Sequence, residues 1–98
     1  MSQYITRVEL HDADWSDYNN LHAAMKREGF SQTITAADGA VYELPPAEYN
    51  YIGQETRSQV HDKAQRAART VKPSFAVLVT EANGVTFSSL KLLKKAAA

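Results

Sequence analysis

The chain has no cysteine. Disulfides and thiolate metal sites are therefore excluded, a composition that suits a reducing compartment. No apolar run approaches the roughly 20 residues that a membrane-spanning helix needs. The N-terminus lacks the charged and apolar regions of a signal peptide, and the simplest expectation is a cytoplasmic protein. There is no P-loop, no dinucleotide glycine motif, no histidine pair at metal-binding helical spacing and no nucleophile elbow. Small-molecule catalysis has no support. Glycine and proline are scarce, with 4 and 3 in the chain, so each is read as a positional signal.

Net charge is zero over 98 residues, but it is unevenly spread. Residues 1–55 sum to −6 and residues 56–98 to +6. Such polarity marks a nucleic-acid surface or head-to-tail association, unless folding interleaves the two halves. The length fits a single domain over residues 1–98, burying roughly 60–65% of its unfolded surface.

What is present is an order of periodic segments. Tyr4, Thr6, Val8 and Leu10 alternate with Ile5, Arg7, Glu9 and His11, the pattern of a strand with one face on a core. Trp15 to Glu28 has helical spacing through Tyr18, Leu21 and Met25. Asp14 is suited to cap it, Asp17 completes a capping box, and Gly29 closes it. Phe30 to Ile52 is β-rich and reads as a long hairpin with an irregular tip, reversing at Asp38-Gly39 and interrupted by Pro45-Pro46. Gln54 to Val71 is a second helix with Val60, Ala64, Ala67 and Val71 on its stripe, ended by Pro73. Phe75 to Val79 is an apolar strand.

Strand-helix-strand-strand-helix-strand predicts an α+β, ferredoxin-like βαββαβ two-layer sandwich: one antiparallel sheet with two helices on one face. The last strand then lies at an edge, and an apolar edge needs covering. A homodimer is the expected cover, with the chain's own C-terminus as the alternative. Asn83-Gly84 signals a turn into a short fifth strand at Val85 to Ser88, while Leu90 to Ala98 reads as a short basic helix.

The segment from Leu21-His22-Ala23-Ala24-Met25 through Gly29-Phe30-Ser31-Gln32-Thr33-Ile34 resembles the GhoS antitoxins, in which a helix ending in leucine and methionine also leads into a phenylalanine-serine strand. The likeness continues through Asp38-Gly39, Leu44 and the Glu48 to Ile52 strand. The family's first helix carries arginines where this chain has Asn20 and His22. The resemblance, with the similarity of those antitoxins to small CRISPR-associated nucleases, implies a ferredoxin-like fold, endoribonuclease activity and an RNA partner.

Candidate catalytic residues are His11, Asp12 and His22. Two histidines can supply base and acid for 2′-hydroxyl attack, since imidazole titrates near neutrality. In the CRISPR-associated nucleases an aspartate at the end of the first strand is the site acid, which implies Asp12 here. With Asp14 it makes a carboxylate pair able to hold hydrated Mg²⁺. No other cofactor is expected. The plainer readings are a solvated loop for Asp12, a helix cap for Asp14 and a half-packed boundary residue for His22 and His61. Arg7 on the outer strand face, and Lys63, Arg66 and Arg69 on the second helix, are candidate RNA-binding residues. Tyr49 and Tyr51 share a strand face, but without the basic-Gly-aromatic motif of RNA-recognition modules they are expected in the core or at a dimer interface. The competing class is a non-catalytic dimeric protein-interaction module of the same fold.

Overall fold

The computed structural model describes residues 1–96. In order, the elements are β1 (Ser2–Leu10), α1 (Trp15–Arg27), β2 (Thr33–Thr35), β3 (Val41–Glu43), β4 (Glu48–Gly53), α2 (Arg57–Arg69), β5 (Phe75–Ala82) and β6 (Lys91–Lys94). They form a mixed α+β structure with two antiparallel three-stranded sheets, ordered β4-β1-β5 and β2-β3-β6.

β1 is the centre of the main sheet. Its register with β4 sets Tyr4 beside Tyr51 and Thr6 beside Tyr49. Its register with β5 sets Val8 beside Val77 and Leu10 beside Phe75. Tyr4, Thr6, Val8 and Leu10 are all buried, as their alternation predicts. Both helices cover this face. Leu21, Ala24 and Met25 of α1 and Val60, Ala64, Ala67 and Ala68 of α2 join one core with Tyr4, Val8, Leu10, Phe30, Tyr49 and Tyr51. The alanine stripe leaves α2 no side-chain bulk to hold it off the sheet. The Thr6 hydroxyl is buried here with no hydrogen-bond partner among the described residues.

Each helix begins in a reciprocal cap. Asp14 Oδ1 accepts from the Asp17 N–H and Asp17 Oδ2 from the Asp14 N–H. Thr56 and Gln59 repeat the arrangement for α2. That second box is written in the sequence as Thr-x-x-Gln, and it places the start of α2 later than apolar spacing alone does. Gly29 follows α1 at φ 97°, where a Cβ would also come within 3.1 Å of the Tyr51 ring. The acidic and basic halves of the chain are interleaved by this packing: Arg66 pairs with Glu28, and Lys72 with Asp17.

The long hairpin expected over Phe30 to Ile52 is divided. β2 and β3 pair locally around Asp38-Gly39, whereas β4 pairs with β1. The hairpin's lead-in touches β4 through one bridge, Ser31 to Asn50. Pro45 and Pro46 offer no ladder N–H, and Ala47 turns the chain at φ 72°. The break lets the hairpin leave the main sheet, so the single sheet of the sequence reading becomes two.

The C-terminal expectation is corrected. Val85 to Ser88 is irregular, and Lys91–Lys94 is a strand rather than part of a helix; Ala97 and Ala98 lie outside the described residues. Gly84 has positive φ but Asn83 does not, so the type I′ geometry that would return the chain onto β5 is not formed. A helix of this length standing alone is marginal in water. The free edge of β3 offers backbone partners instead, and Phe87 packs edge-on against Tyr42 with ring centroids 5.0 Å apart. β6 therefore covers β3 and not β5.

Candidate active site

Arg7 and Glu9 lie on the face of β1 turned away from the helices, because alternate residues of a strand share a face, and His11 follows just past the strand's end. All three are exposed. Across β1 they lie beside β5, where Leu78 is opposite Arg7 and Ala76 opposite Glu9. A shallow groove of ≈ 140 Å³ runs between Arg7, Glu9, Ala76, Val77 and Leu78.

His11 is held at the upper end of this row. Its backbone N–H donates to the Ser74 carbonyl at 3.1 Å. Its ring Nδ1 lies 2.7 Å from Ser74 Oγ. Its Nε2 lies 3.5 Å from Glu9 Oε1, with the two side chains 45% and 61% exposed. Asp12 follows with φ 51°, a left-handed conformation that aspartate tolerates better than most residues. The kink turns the chain off the strand and leaves the Asp12 side chain in solvent.

Asp14 is not free to join Asp12, since its carboxylate caps α1. Among the described residues no three His, Asp or Glu side chains gather as a cation site.

His22 stands elsewhere. It lies on α1, half-buried, with Nδ1 2.7 Å from the Tyr49 hydroxyl. Burial holds it below the ordinary 6.5, against the opposing pull of Glu43. A cleft of ≈ 270 Å³ beside it is lined by Lys26, Phe30, Ser31, Gln32 and Thr33. His11 and Asp12 are neighbours in the chain, and among the described residues no hydrogen bond joins His22 to either.

The basic candidates are divided between the two faces of the protein. Arg7 is on the open sheet face and makes no ion pair among the described residues. Lys63, Arg66 and Arg69 belong to α2, in the layer on the other side. Arg66 donates from Nε and Nη2 to the two Glu28 oxygens, each at 2.8 Å; these hydrogen bonds hold the Glu28 carboxyl below its usual range. Lys63 sits 6.0 Å over the Tyr51 ring. Arg69 is exposed. Tyr49 and Tyr51 are core residues, so neither offers a ring for base stacking. Burial, with the Glu55 carboxylate beside it, pushes the Tyr51 hydroxyl up to about 12.

A larger groove, ≈ 810 Å³, is at the opposite end of the sheet, between the start of α2 and the edge of β5. Arg57, His61, Val77, Val79 and Glu81 are among its walls.

Sequence reasoning missed Ser74 and underused Glu9. Glu9 is recoverable from alternation, being two residues from His11 on one strand. Ser74 is 63 residues away, and only the β1–β5 register brings it near.

The architecture defines a class: two helices on one face of an antiparallel sheet, with a histidine and an aspartate where its central strand ends. Comparison with protein families narrows this, because the family described as endoribonuclease GhoS matches residues 1–85, and the chain belongs to that family. No curated protein and no solved structure matches the chain.

Proposed function

We propose that this chain is a small endoribonuclease of the antitoxin type, cutting RNA by attack of a 2′-hydroxyl on the adjacent phosphate at His11. The observation that carries the reading is the row of Arg7 and Glu9 on the open sheet face, continued by His11 just past the strand's end, in a chain of an endoribonuclease family. Alternate residues of a strand are about 7 Å apart, close to the spacing of phosphates along RNA. Arg7 supplies positive charge to a phosphate, and His11 exchanges the proton of the attacking hydroxyl. Asp12 flanks His11 with its side chain in solvent, on the side from which RNA would approach. His22 serves packing, through Tyr49.

We read the main sheet as a ferredoxin-like core whose fourth strand is reduced to the Ser31–Asn50 bridge. The order β4-β1-β5 and the helices on one face support this. We also read the protein as a homodimer. β5 has β1 on one side and no strand pairing on the other among the described residues, and Leu78 on it is 65% exposed.

The test is cleavage of a mixed-sequence RNA by purified protein, with and without chelator. His11→Ala is expected to lose activity, and His22→Gln to keep it once stability is matched. Products should end in 2′,3′-cyclic phosphate. Full activity in His11→Ala refutes the assignment.

A further inference from the structure

Both ring nitrogens of His11 face a polar group, and the two partners differ in chemistry. A carboxylate only accepts hydrogen bonds. Nε2 faces the Glu9 carboxylate at 3.5 Å, and the tautomer that carries its proton there leaves Nδ1 as the lone pair of the neutral ring. A hydroxyl both donates and accepts. Ser74 donates to Nδ1 when the ring is neutral and accepts from Nδ1–H when it is charged. In that tautomer Nδ1 is the nitrogen open to a proton, and the Ser74 hydroxyl adjoins it at 2.7 Å.

The backbone that carries the hydroxyl is fixed in place. The Ser74 carbonyl accepts from the His11 N–H, and the next residue, Phe75, is in register with Leu10. Ser74 is itself exposed, so its oxygen is reachable from the face that carries Arg7.

We propose that Ser74 is a further catalytic residue, relaying a proton between the RNA 2′-hydroxyl and Nδ1 of His11, and that Glu9 is a positioning residue holding Nε2–H. This rests on the endoribonuclease reading. In the step, the 2′-hydroxyl gives its proton to Ser74 Oγ as Ser74 gives its own to Nδ1. The 2′-oxygen bonds to phosphorus, and the bond from phosphorus to the 5′-oxygen breaks. The departing 5′-oxygen takes a proton from water. The imidazolium then returns its proton through Ser74 to the hydroxide so formed. The products are a 2′,3′-cyclic phosphate and a 5′-hydroxyl, and the protein is regenerated.

Two measurements test this on the full chain. Long-range ¹H–¹⁵N correlation spectra of the imidazole rings read the tautomer without any substrate. Neutral His11 is expected with its proton on Nε2 and a bare Nδ1, and Glu9→Ala is expected to raise the Nδ1–H share. Cleavage of RNA in chelator reads the relay. Ser74→Ala is expected to lower the rate about 100-fold, within the range of a lost proton-transfer group, and Ser74→Thr to restore most of it. An Nδ1–H ring in the unaltered protein overturns the proposal, as does Ser74→Ala cleaving at the unaltered rate. An unaltered protein that cuts no RNA removes the endoribonuclease reading and the relay together, and the spectra still report whether Glu9 sets the tautomer. Ser74→Ala spectra that match the unaltered fold exclude simple unfolding as the cause of a lost rate.

Discussion

The Tyr49 hydroxyl and Nδ1 of His22 are 2.7 Å apart, joining the inner face of β4 to the flank of α1. Tyr49 is 1% exposed, and burial drives its hydroxyl far above the tyrosine range. It stays a neutral hydroxyl, and it donates to His22 where Nδ1 is the bare nitrogen of the neutral ring. Phe30 completes the cluster with its ring edge-on to Tyr49 at 6.5 Å. A histidine chosen from the sequence as a candidate acid or base is engaged in joining two layers.

That relationship gives the protein a pH dependence. The folded-state value of His22 lies below the ordinary 6.5, so the unfolded chain binds the proton more readily. The stability contributed by neutral His22 is fully present above 6.5 and is lost as pH falls through the lowered folded value. Urea unfolding at steps from pH 8 to pH 5 should show this decline, and His22→Gln should flatten it. Tyr49→Phe should cost about 1 kcal/mol at pH 8, the usual loss for one hydrogen bond. An equal slope in unaltered and His22→Gln protein counts against the account.

A second acidic transition belongs to Glu28. Its folded value is depressed by Arg66, so the pair's contribution is present above the ordinary carboxyl value of 4.5 and disappears as pH falls through the lowered one. Because Arg66 is tied to Glu28, Arg66→Gln should lower stability slightly, and more weakly in high salt. Arg7→Gln should leave stability unchanged while weakening RNA binding and reducing the salt slope by about one. Filter binding across a salt series, beside urea melts of both variants, separates the two roles.

The buried Thr6 hydroxyl offers a stabilising substitution. It has no partner among the described residues, and an unsatisfied buried hydroxyl costs about 1–3 kcal/mol. Thr6→Val should raise the urea midpoint, with a gain of about 1 kcal/mol. Leu21→Ala, at a fully buried position, should instead cost about 2–5 kcal/mol. Thr56→Ala should cost about 1 kcal/mol by removing the cap of α2. A Thr6→Val protein less stable than the parent would show that the hydroxyl is satisfied in solution.

The proposed dimer is tested by sedimentation at micromolar concentration, where twice the chain mass is expected. Leu78→Lys places a charge on the exposed side of β5, a usual protection of open edges, and should shift the protein to monomer. A clean monomer before substitution means that β5 remains open in solution.

Periodicity and caps were sufficient for the helices and for the inner face of β1. Those features are local, since a strand alternates its faces and a capping box closes within one turn, and Tyr4, Thr6, Val8, Leu10, Asp14 and Asp17 could be assigned from neighbours alone. The apolar stripes likewise identified Leu21, Met25, Val60, Ala64 and Ala67 as core. The tertiary structure decided which edge each strand meets. The double proline and Ala47 released the hairpin from the main sheet, and the free edge of β3 drew Lys91–Lys94 into a strand where local pattern read helix. It also decided the site. His11 and Ser74 are 63 residues apart, joined by backbone register between β1 and β5, and no spacing in one dimension encodes that contact. Arg66 and Glu28 met in the same way, forming a tie that no local pattern announces. Sequence determines the faces of its elements through local periodicity, and only packing in three dimensions determines which side chains those faces bring together.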